Sequence, residues 1–254
     1  MFEKLFRNFL YYPLRLPEDA PLPRAAKDAE EVWIESDLLD RIHGLYWPAH
    51  GGRPTILFFH GNAQSVFEWA LVRQELALLD SGLLLIDYPG YGKSTGTPKE
   101  EGLFSAGKAS FNWLVERAGV KPERVLLFGK SLGGPVAART ASGRPVLGLV
   151  LESTFRSLPH VIHRLVPILP SKAVLKSEIY NTKESLEQVS CPVLVIHGTR
   201  DELIPVQEGV ALYEAAGGDK ELFLVEGAGH NDVSLVAEDE YQKRLRAWLD
   251  RISG

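Results

Sequence analysis

Six apolar runs set the frame for this chain: Thr55–Phe59, Leu83–Ile86, Val125–Phe128, Leu147–Leu151, Val193–Ile196 and Leu222–Val225. Each is continuous rather than alternating, the pattern of a strand covered on both faces. Helical stretches separate most of them: Ser65–Leu79, Gly102–Ala118, Leu132–Ala141, Pro205–Ala216 and Ser234–Ile252. Strand–helix alternation of this kind predicts a parallel sheet with helices on both faces. Ahead of it, Glu31–Ser36 and Arg41–Trp47 read as an antiparallel hairpin around Asp37–Asp40. With the six runs this makes a mostly parallel sheet of eight strands. The composition agrees, since 45% hydrophobic and 24% charged residues are ordinary for a globular protein with a sizeable core.

One connection is too long for the pattern. Nearly forty residues separate Glu152 from Cys191, and excursions of that length from a compact sheet are usually lids or binding loops. We read a small cap over about 154–188, inserted after the sixth strand, inside a single domain spanning 31–254. Its residues Val161, Ile162, Leu165, Val166, Ile168 and Leu169 offer an apolar surface suited to an acyl chain. Residues 1–30 form an N-terminal amphipathic segment and a Pro-rich connector. Phe2, Leu5, Phe6 and Phe9 share one helical face. We expect that face to pack on the domain, with membrane contact through residues 2–12 as the alternative.

The chemistry is expected just past the carboxyl ends of the strands. Val125–Phe128 runs into Gly129-Lys130-Ser131-Leu132-Gly133, and a small-residue helix follows. Strand, Gly-x-Ser-x-Gly and helix together form a nucleophile elbow, a tight turn that lifts the serine hydroxyl clear of the backbone. A serine needs a base, and the base needs an acid to orient it. Asp201 follows Val193–Ile196, and His230 follows Leu222–Val225 in a Gly-rich loop. Ser131, Asp201 and His230 are therefore the candidate catalytic residues, with Glu152 as the alternative acid. His197 and His60 are read as structural. The backbone N–H groups of Leu132 and Asn62 are the candidates for holding an oxyanion, because they follow the elbow and the strand Thr55–Phe59.

The set His60-Gly61-Asn62-Ala63, Asp87–Ser94, Gly129–Gly134, Gly198–Asp201 and Gly229-His230 resembles an α/β-hydrolase serine hydrolase over nearly the whole chain from about Val32. Within that superfamily it is similar to the compact group containing lysophospholipid lipases and protein depalmitoylases. The resemblance implies a carboxylesterase- or lipase-like enzyme that cleaves small to medium acyl esters or thioesters without cofactor or metal. Peptidase activity of the prolyl-oligopeptidase type, long-chain lipase or depalmitoylase activity, and a silent binding role are the alternatives. A net charge of −5 gives no reason to expect nucleic acid as a partner. The lone Cys191 fits a reducing compartment, so the expectation is a cytoplasmic monomer or homodimer acting on a small-molecule ester.

Overall fold

The computed structural model describes residues 10–165 and 178–253. One sheet contains β1 Glu30–Glu35, β2 Arg41–Trp47, β3 Thr55–Phe59, β4 Gly82–Ile86, β5 Val125–Lys130, β6 Gly148–Glu152, β7 Val193–Gly198 and β8 Lys220–Val225. The spatial order is β8-β7-β6-β5-β3-β4-β2-β1. Strand β2 is antiparallel to β1 and β4, and every other neighbouring pair is parallel. Helices α1 Val66–Trp69, α2 Val72–Glu75, α3 Glu100–Glu116, α4 Gly133–Ala141, α5 Leu158–Leu165, α6 Thr182–Leu186, α7 Val206–Ala215, α8 Val233–Ala237 and α9 Asp239–Ser253 surround it.

The continuous apolar runs arise because successive side chains of a strand face opposite sides. Leu57, Phe59, Leu127, Leu149, Leu151, Val193 and Val195 enter one core with α3 and α4. Their neighbours Ile56, Phe58, Leu126, Phe128, Val150, Leu194 and Ile196 enter a second core with Tyr241, Leu245, Trp248 and Leu249 of α9. The hairpin between β1 and β2 turns on Ser36, whose hydroxyl accepts the N–H groups of Leu38 and Asp40 at 3.3 and 3.2 Å.

Two expected helices are broken. Ser65–Leu79 divides into α1, α2 and a 3-10 turn at Ala77–Leu79, and Leu71 and Leu78 remain exposed. Ser234–Ile252 divides at Glu238, whose φ of 48° ends α8 before α9 begins. The stretch between β6 and β7 holds α5 and α6, and its exit buries Tyr180, Leu186 and Val189 in the first core. Residues Val166, Ile168 and Leu169 lie outside the described residues, as does the stripe Phe2, Leu5, Phe6 and Phe9.

The segment that begins at Leu10 is fastened to the loops above the sheet. Tyr12–Pro13 pairs in parallel with Ala63–Gln64. Gly92 N–H donates to the Leu14 carbonyl at 2.7 Å, and Leu16 N–H donates to the Gly92 carbonyl at 2.8 Å. The buried Tyr11 hydroxyl lies 2.5 Å from both Glu178 Oε2 and the Tyr180 hydroxyl, which ties this segment to the chain that leads into α6.

Candidate active site

Ser131 sits between β5 and α4 with φ at 52°, in the left-handed region that a side chain disfavours. The turn around it has no spare room. A Cβ at Gly133 would overlap the Phe59 carbonyl, and one at Gly129 would meet the Gly133 carbonyl. Three hydrogen bonds hold the turn: Ser131 N–H to the Glu152 carbonyl at 2.9 Å, Gly134 N–H to the Ser131 carbonyl at 3.0 Å, and Thr154 Oγ1 to the same carbonyl at 2.7 Å.

The structure brings the three expected residues together. Ser131 Oγ lies 3.0 Å from His230 Nε2, and His230 Nδ1 lies 2.7 Å from Asp201 Oδ2. Asp201 Oδ1 accepts the N–H groups of Leu203 and Ile204 at 3.0 and 2.7 Å. Burial alone would raise the Asp201 pKa. Hydrogen bonds from His197 and His230, with the neighbouring Ile204 N–H, outweigh it and hold the carboxylate well below its ordinary value. An ionised acid next to His230 Nδ1 fixes the imidazole with its proton on Nδ1 and its lone pair facing the serine.

Glu152 occupies a different niche. It is buried at 1% exposure, with Oε1 2.7 Å from Lys130 Nζ and Oε2 accepting the Tyr241 hydroxyl at 2.6 Å. The Lys130 ammonium is almost wholly buried, which by itself would lower its pKa, but Glu152 more than offsets this and raises it. This carboxylate neutralises a lysine within the elbow and does not contact His230.

His197 is buried and holds a loop in place, in keeping with its structural reading. Its Nε2 donates to the Ile204 carbonyl at 2.8 Å and lies 3.4 Å from Asp201 Oδ2, so it braces the acid loop. The signal for it was its place four residues before Asp201. His60 matches its structural reading: it is buried, donates from Nδ1 to the Gly61 carbonyl at 2.7 Å, and packs against Tyr88.

A cavity of about 530 Å³ opens at Ser131 and His230. Its wall includes Gly61, Asn62, Gln64, Trp69, Glu75, Lys130, Leu203 and Asn231. Asn62 is clamped by its side chain, with Nδ2 donating to the Leu10 carbonyl at 2.5 Å and Oδ1 accepting the Tyr91 hydroxyl at 2.9 Å. Leu132 opens α4 at 4% exposure. Of the expected acyl-binding residues, Val161 and Ile162 pack with the first core and do not contribute to the cavity wall. That wall mixes polar side chains with apolar surface from Ala63, Trp69 and Leu203, and most of it comes from the loop after β3 and from the elbow itself. Among the described residues, no cluster of three or more His, Cys, Asp or Glu is placed to hold a metal ion. No helix among them is long and apolar enough to cross a membrane.

Residues 54–172 match the alpha/beta hydrolase fold family. An uncharacterized protein of Mycobacterium tuberculosis is 36% identical over 91% of this chain and 82% of its own length. The alpha/beta hydrolase domain-containing protein 17C of Mus musculus is 32% identical over 87% of this chain and 68% of its own. Among solved structures, the Pyrococcus furiosus esterase Pf2001 superposes with a TM-score of 0.76 over 96% of this chain and 98% of that one, at 21% identity. Sheet order, elbow and relatives agree: this chain belongs to the alpha/beta hydrolase family, and hydrolase is the class of activity that membership carries.

Proposed function

We propose that this protein is a serine hydrolase that cleaves carboxylic esters or thioesters of small to medium acyl chains. The observation that carries the reading is the unbroken chain from Ser131 Oγ through His230 to Asp201, at 3.0 and 2.7 Å, on the wall of an open cavity. Ser131 Oγ attacks the acyl carbonyl while His230 Nε2 takes its proton. Asp201 holds the Nδ1 proton and stabilises the imidazolium that forms. The Asn62 and Leu132 N–H groups receive the negative charge that develops on the carbonyl oxygen. The tetrahedral adduct collapses with loss of the alcohol or thiol, which leaves with the proton from His230. Water, activated by the same histidine, then attacks the acyl-Ser131 ester and releases the acid.

The cavity supports the size assignment. A volume of about 530 Å³ accommodates a short acyl chain with its leaving group, and each additional buried methylene contributes about 0.8 kcal/mol only while the wall can cover it. A p-nitrophenyl ester series from acetate to palmitate tests the reading on wild type and Ser131→Ala. We expect kcat/KM to rise to butyrate or hexanoate and to fall beyond octanoate, with Ser131→Ala slower by about 10⁶ in kcat. Persistent turnover by Ser131→Ala would sink the catalytic assignment. A steady rise through micellar palmitate would point instead to a long-chain lipase or depalmitoylase.

A further inference from the structure

A second cavity, of about 380 Å³, lies between α3 and the C-terminal end of α4. Its wall carries Ser105 and Lys108 of α3, Arg139 of α4, and Ser142, Arg144 and Gln188 beyond the helix. From Gly133, where α4 begins beside the nucleophile, to Arg139 the axis rises by roughly 9 Å. This cavity therefore opens at the end of α4 remote from Ser131.

Nearly all the charge and hydrogen-bonding capacity here is of one kind. Three side chains are cations. Among the described residues, neither Arg139 nor Arg144 has a carboxylate within ion-pair distance. Arg144 donates from Nη1 to the Thr140 carbonyl at 2.7 Å and lies over the Phe111 ring at 5.3 Å, and its other N–H groups meet no acceptor among the described residues. Gln188 Oε1 accepts the Ser142 hydroxyl at 2.9 Å, so its amide nitrogen is the atom free to donate. The Ser105 hydroxyl oxygen is fully buried and has no hydrogen-bond partner. Lys108 does reach Asp37, at 2.7 Å, but that pair is exposed and weak, so the ammonium can turn inward. Arg139 also acts on the charge of Glu100, whose oxygens already accept the N–H groups of Ile179 and Tyr180.

Two guanidiniums held close together without a counter-charge repel each other. Burial, followed by the neighbouring Arg139, lowers the Arg144 pKa. An arrangement of forked donors, an ammonium, a hydroxyl and an amide N–H around one concavity matches an oxyanion with several acceptor oxygens.

We propose that this cavity is a binding site for a phosphate group, with Arg139 and Arg144 as its main ligands and Ser105, Lys108 and Gln188 completing it. The shared chemistry is the phosphate monoester, whether carried by a soluble molecule or by a lipid headgroup. A carboxylate would engage one guanidinium fork, whereas a phosphate dianion has enough oxygens for both.

The test uses the full chain and needs no catalytic readout. Thermal melts in sodium phosphate and in sodium chloride, at matched ionic strength and pH, compare wild type with Arg139→Gln. Arg139 is exposed and holds nothing in the core, so its replacement leaves the fold intact. We expect phosphate to raise the wild-type Tm above the chloride value. Titration of the shift should give an affinity for inorganic phosphate that is about tenfold weaker in Arg139→Gln. Ser105→Ala should weaken it by a smaller factor. Equal phosphate responses in wild type and Arg139→Gln, or no response in wild type, would overturn the site. Pelleting with phosphatidylcholine vesicles, with and without phosphatidic acid, separates the two sources. Acid-dependent pelleting that Arg139→Gln abolishes assigns the lipid headgroup, and a phosphate shift without pelleting assigns a soluble phosphate.

Discussion

Asp201 and Glu152 are both buried carboxylates at the carboxyl ends of strands, yet their surroundings give them different work. Asp201 accepts from His230 and two backbone N–H groups, and Glu152 accepts from Tyr241 and pairs with Lys130. Asp201→Asn keeps the shape but loses the charge that orients and stabilises the histidine, so kcat should fall by about 10⁴. Glu152→Gln leaves the buried Lys130 ammonium unpaired, which costs about 3 kcal/mol of stability. Ser131 should still label with a fluorophosphonate probe in that variant. Ester kinetics with thermal melts on both variants checks the division, and a reversed pattern would move the acid to Glu152.

At the scale of elements, α7 packs closely on β7 at Gly209. A Cβ at Gly209 would stand 2.6 Å from His197 Nδ1 and 2.9 Å from its Cγ. Helix propensity favours Gly209→Ala by about 1 kcal/mol. Overpacking against a ring fixed by Ile204 costs about 1–3 kcal/mol. The clash should win, giving a net loss of about 1 kcal/mol in a denaturant melt, and kcat should fall as well because the displaced ring braces Asp201. A more stable variant would show that His197 moves freely. The strands were legible in the sequence because runs such as Val193–Ile196 are buried on both sides, short, rich in β-branched residues and followed by Gly-containing turns. The helix breaks were not. Ala237-Glu238-Asp239 contains neither Gly nor Pro, and the apolar spacing of Val233, Tyr241 and Leu245 continues across the bend.

At the scale of the whole molecule, the site draws on distant parts of the chain. Ser131, Asp201 and His230 were readable because each directly follows its own strand. The cavity wall was not, since Trp69 and Glu75 lie on helices whose direction depends on packing. Nor did any local pattern announce that Tyr12–Pro13 pairs with Ala63–Gln64, or that the Leu10 carbonyl clamps Asn62. On the proposed mechanism, that clamp gives the N-terminal segment a part in the chemistry as well as in the stability. Deletion of residues 1–12 should lower Tm and also reduce kcat by about 10- to 100-fold, by loosening an oxyanion donor. An unchanged kcat per active site, counted by probe labelling, would separate the segment from the site.

The left-handed backbone at Ser131 has a consequence for how far this protein could be stabilised. A residue with a Cβ at that φ costs the folded state about 1 kcal/mol or more, and only glycine escapes the cost. Ser131→Gly should therefore be more stable than Ser131→Ala by about 1 kcal/mol, although both lack the nucleophile. Selection of variants for thermal resistance alone would favour glycine at this position, so a screen without an activity assay would drift toward a sturdier and inert protein.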